Sequence, residues 1–377
     1  MGNLSRVIEL DRVTKRYSND SVAVAELSFT VPDGELCVLV GPSGCGKTTT
    51  LRMINRLIEP SGGRILIDGT DVLKIDPVQL RRSIGYVIQQ GGLFPHRRVA
   101  DNVATVPRLL GWDRTRVDAR VRELLDLVGL DPDQYGRRFP HELSGGERQR
   151  VGVARALGGD PPVLLMDEPF GAVDPITRQR LQQQFIDLQA ELKKTIVFVT
   201  HDIDEATRLG DRIAVLSKGG VLEQYDTPSE VLGRPATAFV ADFVGADRGV
   251  RRLAVTCIEP GDLFRPPEVA PEQSMLDART AVGGADSRWA VVVDGRGHLH
   301  GWVDLDPALK GSVEHNLVPF DVQVPVGTSL RAAFGEMLQH DVRWIPVVDK
   351  DRYIGVLTPN RLHAAMRRSV GGHAVEA

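Results

Sequence analysis

Residues 35–54 read ELCVLVGPSGCGKTTTLRMI. The run LCVLV is continuously apolar and reads as a buried strand. GPSGCGKT (Gly41–Thr48) then fits the spacing G-x-x-x-x-G-K-[ST], and KTTTLRMI begins an apolar helical pattern. Strand, glycine loop and helix together are the context that a phosphate loop needs. Glycines let backbone N–H groups turn toward phosphate oxygens, and the helix N-terminus adds a favourable field. Gly41, Pro42, Ser43, Gly44, Cys45 and Gly46 are therefore candidate nucleotide contacts. Lys47 is placed to reach β- and γ-phosphates, Thr48 to bind Mg²⁺ through its hydroxyl, and Thr49 to donate to an α-phosphate.

The surrounding chain has 377 residues, 42% hydrophobic and 25% charged, which suits a soluble globular protein of two or three domains. A net charge of −4 argues against a general nucleic-acid binder. No apolar run of about 18 residues is present, so no spanning helix is expected, and the start lacks a signal-peptide core. Three widely spaced cysteines point to a reducing compartment, with neither a disulfide scaffold nor a zinc spacing.

Residues 1–40 alternate apolar and polar positions and read as antiparallel strands. RRSIGYVIQQ (81–90) reads as a strand with Gln89 near its end. A helical region from about 99 to 158 is punctuated by Pro107, Gly111 and Pro132. PPVLLMDEP (161–169) and TIVFVTHD (195–202) read as buried strands ending in polar residues. Apolar strands alternating with helices imply a mainly parallel sheet covered on both faces.

Asp167 and Glu168 end the first of those strands. Asp167 is placed to hold Mg²⁺, and Glu168 to orient or deprotonate an attacking water. His201 follows the second strand and is a candidate contact to the γ-phosphate; a structural histidine is the competing reading. Tyr17 offers an aromatic face for an adenine, with a packing or surface tyrosine as the alternative. LSGGERQRVGVARAL (143–157) supplies a second anion-binding helix start, at Ser144, Gly145 and Gly146. One loop already serves the phosphates from its own side. The second start is therefore expected to serve an ATP held by another copy of the chain, in a head-to-tail dimer around two ATPs.

These motifs, in this order over about residues 5–245, resemble the ATP-binding subunits of ATP-binding-cassette (ABC) transporters. The resemblance implies an α/β P-loop NTPase cassette with a RecA-like parallel core, an antiparallel β subdomain and a helical subdomain. It also implies that Tyr17 stacks on adenine and that Gln89 touches Mg²⁺ and relays contact with the membrane subunit. Ser144 to Glu147 become the signature motif, Asp174 the D-loop aspartate and His201 the switch histidine. The family most often has glutamine at Glu147 and leucine at Val173, so Glu147 is expected to retune contact with the partner's ATP. YVIQQGGLFPH, NVATVPRLLGW and EPFGAVDPITR are similar to the osmoprotectant-uptake branch, which imports glycine betaine, carnitine, choline or proline-type solutes. The implied partners are membrane permease subunits and, indirectly, a solute-binding protein, with no nucleic acid. The implied place is the cytoplasmic face of the membrane. An importer of another polar solute is the nearest alternative. A soluble non-transport ABC ATPase fits less well, because one cassette is present and no long coiled coil separates its motifs.

Beyond residue 245 the texture changes. Residues 246–273, with EPGDLFRPPEVAPEQ (259–273), are expected to be a linker. A weak repeat follows, RWAVVVD (288–294) falling on RWIPVVD (343–349). SLRAAFGEML, RWIPVV, YIGVL and RLHAAM resemble a cystathionine-β-synthase-type (CBS) domain, so 274–377 is expected to be an α+β CBS pair, 274–318 and 319–371. The first copy is worn: Gly283 and Gly284 should shorten its helix. The family's ribose-binding acid falls on Pro307 in the first copy and on Arg361 in the second. An arginine has no acceptor for ribose hydroxyls, so adenosine binding in the usual mode is disfavoured; regulation by ionic strength and a module that only packs and dimerises are the competing readings.

Overall fold

The computed structural model describes residues 6–18, 21–88, 92–171, 173–283 and 287–368. They divide into two compact units, Met1–Val231 with Pro235–Gly245, and Leu232–Arg234 with Ala246–Ala377.

The first unit begins with long strands β1 (Arg6–Arg16) and β2 (Val22–Pro32). Strand β3 (Leu36–Val40) runs into the glycine loop and helix α1 (Lys47–Ile54). Strands β4 (Gly62–Ile67) and β5 (Thr70–Asp71) precede α2 (Pro77–Ser83) and β6 (Ile84–Val87). The expected strand from residue 81 is thus shorter, because Asp76 caps a helix that continues through Ser83. A helical stretch holds α3 (Val99–Val103), α4 (Thr105–Leu109), α5 (Arg114–Leu127), α6 (Pro132–Tyr135) and α7 (Gly145–Leu157). Then come β7 (Val163–Asp167), α8 (Pro175–Leu192), β8 (Thr195–Val199), α9 (Ile203–Leu209), β9 (Arg212–Ser217) and β10 (Val221–Asp226). Helices α10 (Pro228–Gly233) and α11 (Ala238–Val244) follow.

Two sheets result. One is antiparallel, in the order β2-β1-β4-β5; the other has the order β10-β9-β3-β8-β7-β6. In the second, β9, β3, β8, β7 and β6 are parallel, and β10 is the antiparallel edge. Every residue of β3, β7 and β8 is buried, as expected for strands covered on both faces. One apolar cluster joins both sheets, with Ile8, Leu10 and Val24 beside Leu39, Leu165 and Val197. All parallel strands end on one edge, where the crossover loops gather.

The second unit is built from α12 (Arg248–Val255), β11 (Glu268–Val269), α13 (Met275–Val282), β12 (Trp289–Val293) and β13 (Leu299–Asp304). After them come β14 (Val324–Pro325), α14 (Leu330–Gln339), β15 (Ile345–Asp349), β16 (Arg352–Leu357) and α15 (Pro359–Arg368). The repeat is real in register. In each half a short strand pairs in parallel with a central strand, which pairs antiparallel with a third. Helix α13 stops at Val282, two residues shorter than α14, with Gly283 as its cap.

The segment 246–273 is not a linker, which corrects the expected boundaries. It carries α12 and β11, and Ile258 and Leu263 are buried in the core of the second half. Ile258 donates its N–H to Thr328, and Leu330 donates back to Thr256. The first half likewise starts at or before β11 rather than at residue 274. The prolines misled because they break periodicity without preventing burial.

The halves interlock about a pseudo-twofold axis. Phe264 exchanges backbone hydrogen bonds with Val356, and Val318 does so with Trp302. A shift of 54 residues converts one pair into the other. Near the axis Trp289 stacks on Trp344, centroids 4.2 Å apart and planes at 19°. Gly301 lies under this exchange, because a Cβ there would sit 2.4 Å from the Val318 carbonyl oxygen. Gly301→Ala is therefore expected to destabilise the second unit by about 1–3 kcal/mol. Three of the four tryptophans lie in that unit, so denaturant titration followed by tryptophan fluorescence reads the shift. An unchanged midpoint would contradict the interlock.

Candidate ATP site

The loop geometry explains its glycines. Gly41 has φ +152°, and a Cβ on it would fall 2.1 Å from the Leu216 carbonyl oxygen. Gly46, at φ +97°, would press a Cβ to 2.4 Å from the Ala23 carbonyl oxygen. Both positions are left to glycine by backbone conformation and by space. Gly46 caps α1 without any side-chain hydrogen bond, so the first amides of that helix have no side-chain cap.

Lys47 is buried. Its ammonium donates to the carbonyls of Gly41 at 2.7 Å and Pro42 at 3.0 Å, and lies 3.6 Å from Cys45 Sγ. The Thr48 hydroxyl donates to Asp167 Oδ1 at 2.9 Å, linking the first turn of α1 to the end of β7. Burial pushes the Asp167 carboxyl above its ordinary range, the Thr48 hydrogen bond opposes this, and the Glu168 charge adds to it.

Glu168 takes a left-handed φ of +44°, unusual for a residue with a side chain. Its N–H donates to Val199 at 3.0 Å, and its Oε1 meets His201 Nδ1 at 3.3 Å. His201 is more than half exposed. Strand pairing thus sets Asp167, Glu168 and His201 side by side at one edge.

Tyr17 is exposed, with the Lys15 ammonium 5.5 Å from its ring centre, and its N–H closes a turn onto Ser21. The close approach of Ala23 to Gly46 brings the start of β2 beside the loop. Gln89 lies outside the described residues. Asp174 caps α8, accepting from Thr177 N–H at 3.0 Å, which holds its carboxyl below the usual range.

Ser144 caps α7, and a Cβ on Gly146 would lie 3.2 Å from Thr177 of α8. The hydrogen bonds of Ser144 and Glu147 run to Tyr135, to each other and along α7; none of them reaches the phosphate loop. Each carboxylate oxygen of Glu147 accepts a hydrogen bond. Its Oε2 accepts from the Ser144 N–H at 2.7 Å and its Oε1 from the Tyr135 hydroxyl at 2.8 Å. The Ser144 N–H chiefly holds its carboxyl below the ordinary range. Glutamate at this position thus has a local reason, a reciprocal capping box closed by a phenol. Sequence inspection missed Tyr135, and it missed the buried Glu205 and Gln182 behind His201. The HD-x-x-E spacing (201–205) was the one available signal for Glu205.

Comparison with known proteins identifies the family. The ABC transporter family model matches residues 24–171, and the CBS domain model matches residues 319–368. The osmoprotectant import ATP-binding protein OsmV of Salmonella typhimurium is 46% identical, over 93% of this chain and 94% of its own. The chain belongs to the family of ABC-transporter ATP-binding proteins. The glycine betaine/carnitine/choline transport ATP-binding protein OpuCA of Bacillus subtilis is 43% identical, over 97% of this chain and 98% of its own. Among solved structures, the dimeric ATP-binding cassette MJ0796 bound to ADP and phosphate superposes with a TM-score of 0.53. It is 34% identical and covers 59% of this chain and 98% of its own. Among the described residues no helix is long and apolar enough to cross a membrane.

Asp167 gives a stability test. Its folded carboxyl titrates above the unfolded one, so the native state binds the extra proton and its stability falls as pH rises through that range. Asp167→Asn removes the buried charge and keeps an acceptor for Thr48. The variant should be more stable than the wild type at neutral pH, with the gain shrinking as pH falls into the carboxylate range. Thermal unfolding across pH 4–8, about four values, reads this; a less stable variant at neutral pH would count against it.

Proposed function

We propose that this chain is the ATP-hydrolysing subunit of an importer for quaternary-amine osmoprotectants of the glycine betaine, carnitine, choline and proline type. The observation that carries the ATPase reading is the pair of contacts Thr48–Asp167 and Glu168–His201 at the end of one parallel sheet. Relatives similar along nearly the whole chain, C-terminal unit included, support the solute class.

In this reading the loop Gly41–Gly46 with Lys47 and Thr49 holds the triphosphate, and Tyr17 stacks on the adenine. Mg²⁺ suits the Thr48 hydroxyl and Asp167 carboxylate, two hard oxygen donors already 2.9 Å apart, with Gln89 as a third contact. When bound, the cation neutralises charge on the β- and γ-phosphates. Glu168 orients the attacking water and draws its proton, while His201 holds Glu168 and faces the γ-phosphate. Ser144 to Glu147 and Asp174 meet the ATP of a second copy, so two chains close head to tail around two ATPs. The fold of a dimeric cassette at 34% identity supports that arrangement. The pair sits at the cytoplasmic face of the membrane beneath permease subunits, which a solute-binding protein supplies. The second unit acts as a regulatory module, and exposed Arg361 at the ribose position disfavours the usual adenosine mode.

Glu168→Gln is the test. Turnover should fall at least about 100-fold while ATP binding persists, because the amide cannot take the proton. ATP-dependent dimers should then accumulate in gel filtration. In vesicles containing the permease, wild-type ATPase should rise with transported solute. Wild-type turnover in the variant, or ATPase indifferent to the permease, would refute the reading.

A further inference from the structure

Behind His201 lies a buried polar pair that the reaction as described does not use. Glu205 of α9 and Gln182 of α8 are 6% and 5% exposed. Gln182 Nε2 donates to Glu205 Oε1 at 2.9 Å, and Arg208 Nη1 donates to Gln182 Oε1 at 3.3 Å. Thr200 Oγ1 accepts from the Asp202 N–H at 3.1 Å, and Asp202 caps α9 through the N–H groups of Asp204 and Glu205. Both chain neighbours of His201 are therefore tied to the helix that carries Glu205. Gln182 belongs to the helix whose cap is Asp174.

We propose that Glu205 and Gln182 are a positioning pair that holds His201 against Glu168 and ties it to the helix capped by Asp174. This deepens the preceding reading and rests on it. An acid in this place is costly: burial pushes its carboxyl up, and the Gln182 hydrogen bond opposes that. An apolar pair of similar volume would fill the space without that cost. The hydrogen-bonded pair adds direction instead. It fixes the loop Thr200–Asp202 relative to α8, so a displacement of Asp174 on dimer closure reaches His201 within the same subunit.

The test uses the full chain with Glu205→Ala, Glu205→Gln and Gln182→Leu, alone and combined with His201→Ala, in steady-state ATPase assays. Glu205→Ala and Gln182→Leu should each lower kcat by about 10-fold or more, with KM for ATP within about two-fold of wild type. Glu205→Gln should recover most of the rate, since its amide oxygen still accepts from Gln182. With His201→Ala present, the pair substitutions should add less than about two-fold. Should Glu205→Ala not fold, Gln182→Leu carries the same comparison. Lowered thermal stability with unchanged kcat would overturn the proposal, as would equal losses with and without His201. If His201→Ala itself turns over like the wild type, the underlying role of His201 fails and the pair falls with it. If only the pair variants are silent, the pair alone fails.

Discussion

The hydrogen bond from Thr48 to Asp167 joins the helix that follows β3 to the end of β7, two strands that are not neighbours. Strand β8 runs between β3 and β7, yet the start of α1 and the end of β7 meet above it. That meeting is possible because the strands are parallel and end on one edge. The same edge receives Lys47, Glu168 and His201. Without the parallel order, residues separated by 119 positions in the chain would not share a site.

Two carboxylates of this unit show opposite solutions to burial. Asp167 is taken from water at the end of an apolar strand, and its ionised form is disfavoured there. Glu147 sits at a helix start, accepts from a backbone N–H and a phenol, and is held ionised. Its charge meets the α7 N-terminus, where the helix field stabilises a carboxylate.

The second unit rests on a different constraint. Each half supplies an extended segment that completes the other half's sheet edge, so neither half is whole without its partner. The stack of Trp289 on Trp344 and the edge-on approach of Phe320 to Trp344, at 5.1 Å, fill the space near the axis. This interlock also explains the segment 246–273. It looked like a connection because prolines interrupt it, yet its apolar residues close the core of the half that lies farther along the chain.

The sequence by itself determined the phosphate loop, the paired acids, the signature helix start and the repeat of the second unit. Each of these is written in a local pattern: glycines where backbone must turn, continuous apolar runs where strands are covered twice, and a capping box within four residues. Only the tertiary structure decided which side chains answer them. Tyr135 reaches Glu147 across 12 residues, and Gln182 reaches Glu205 across 23. Such partners obey no helical or strand period, because they meet through the packing of separate elements, and packing is set by the whole chain at once.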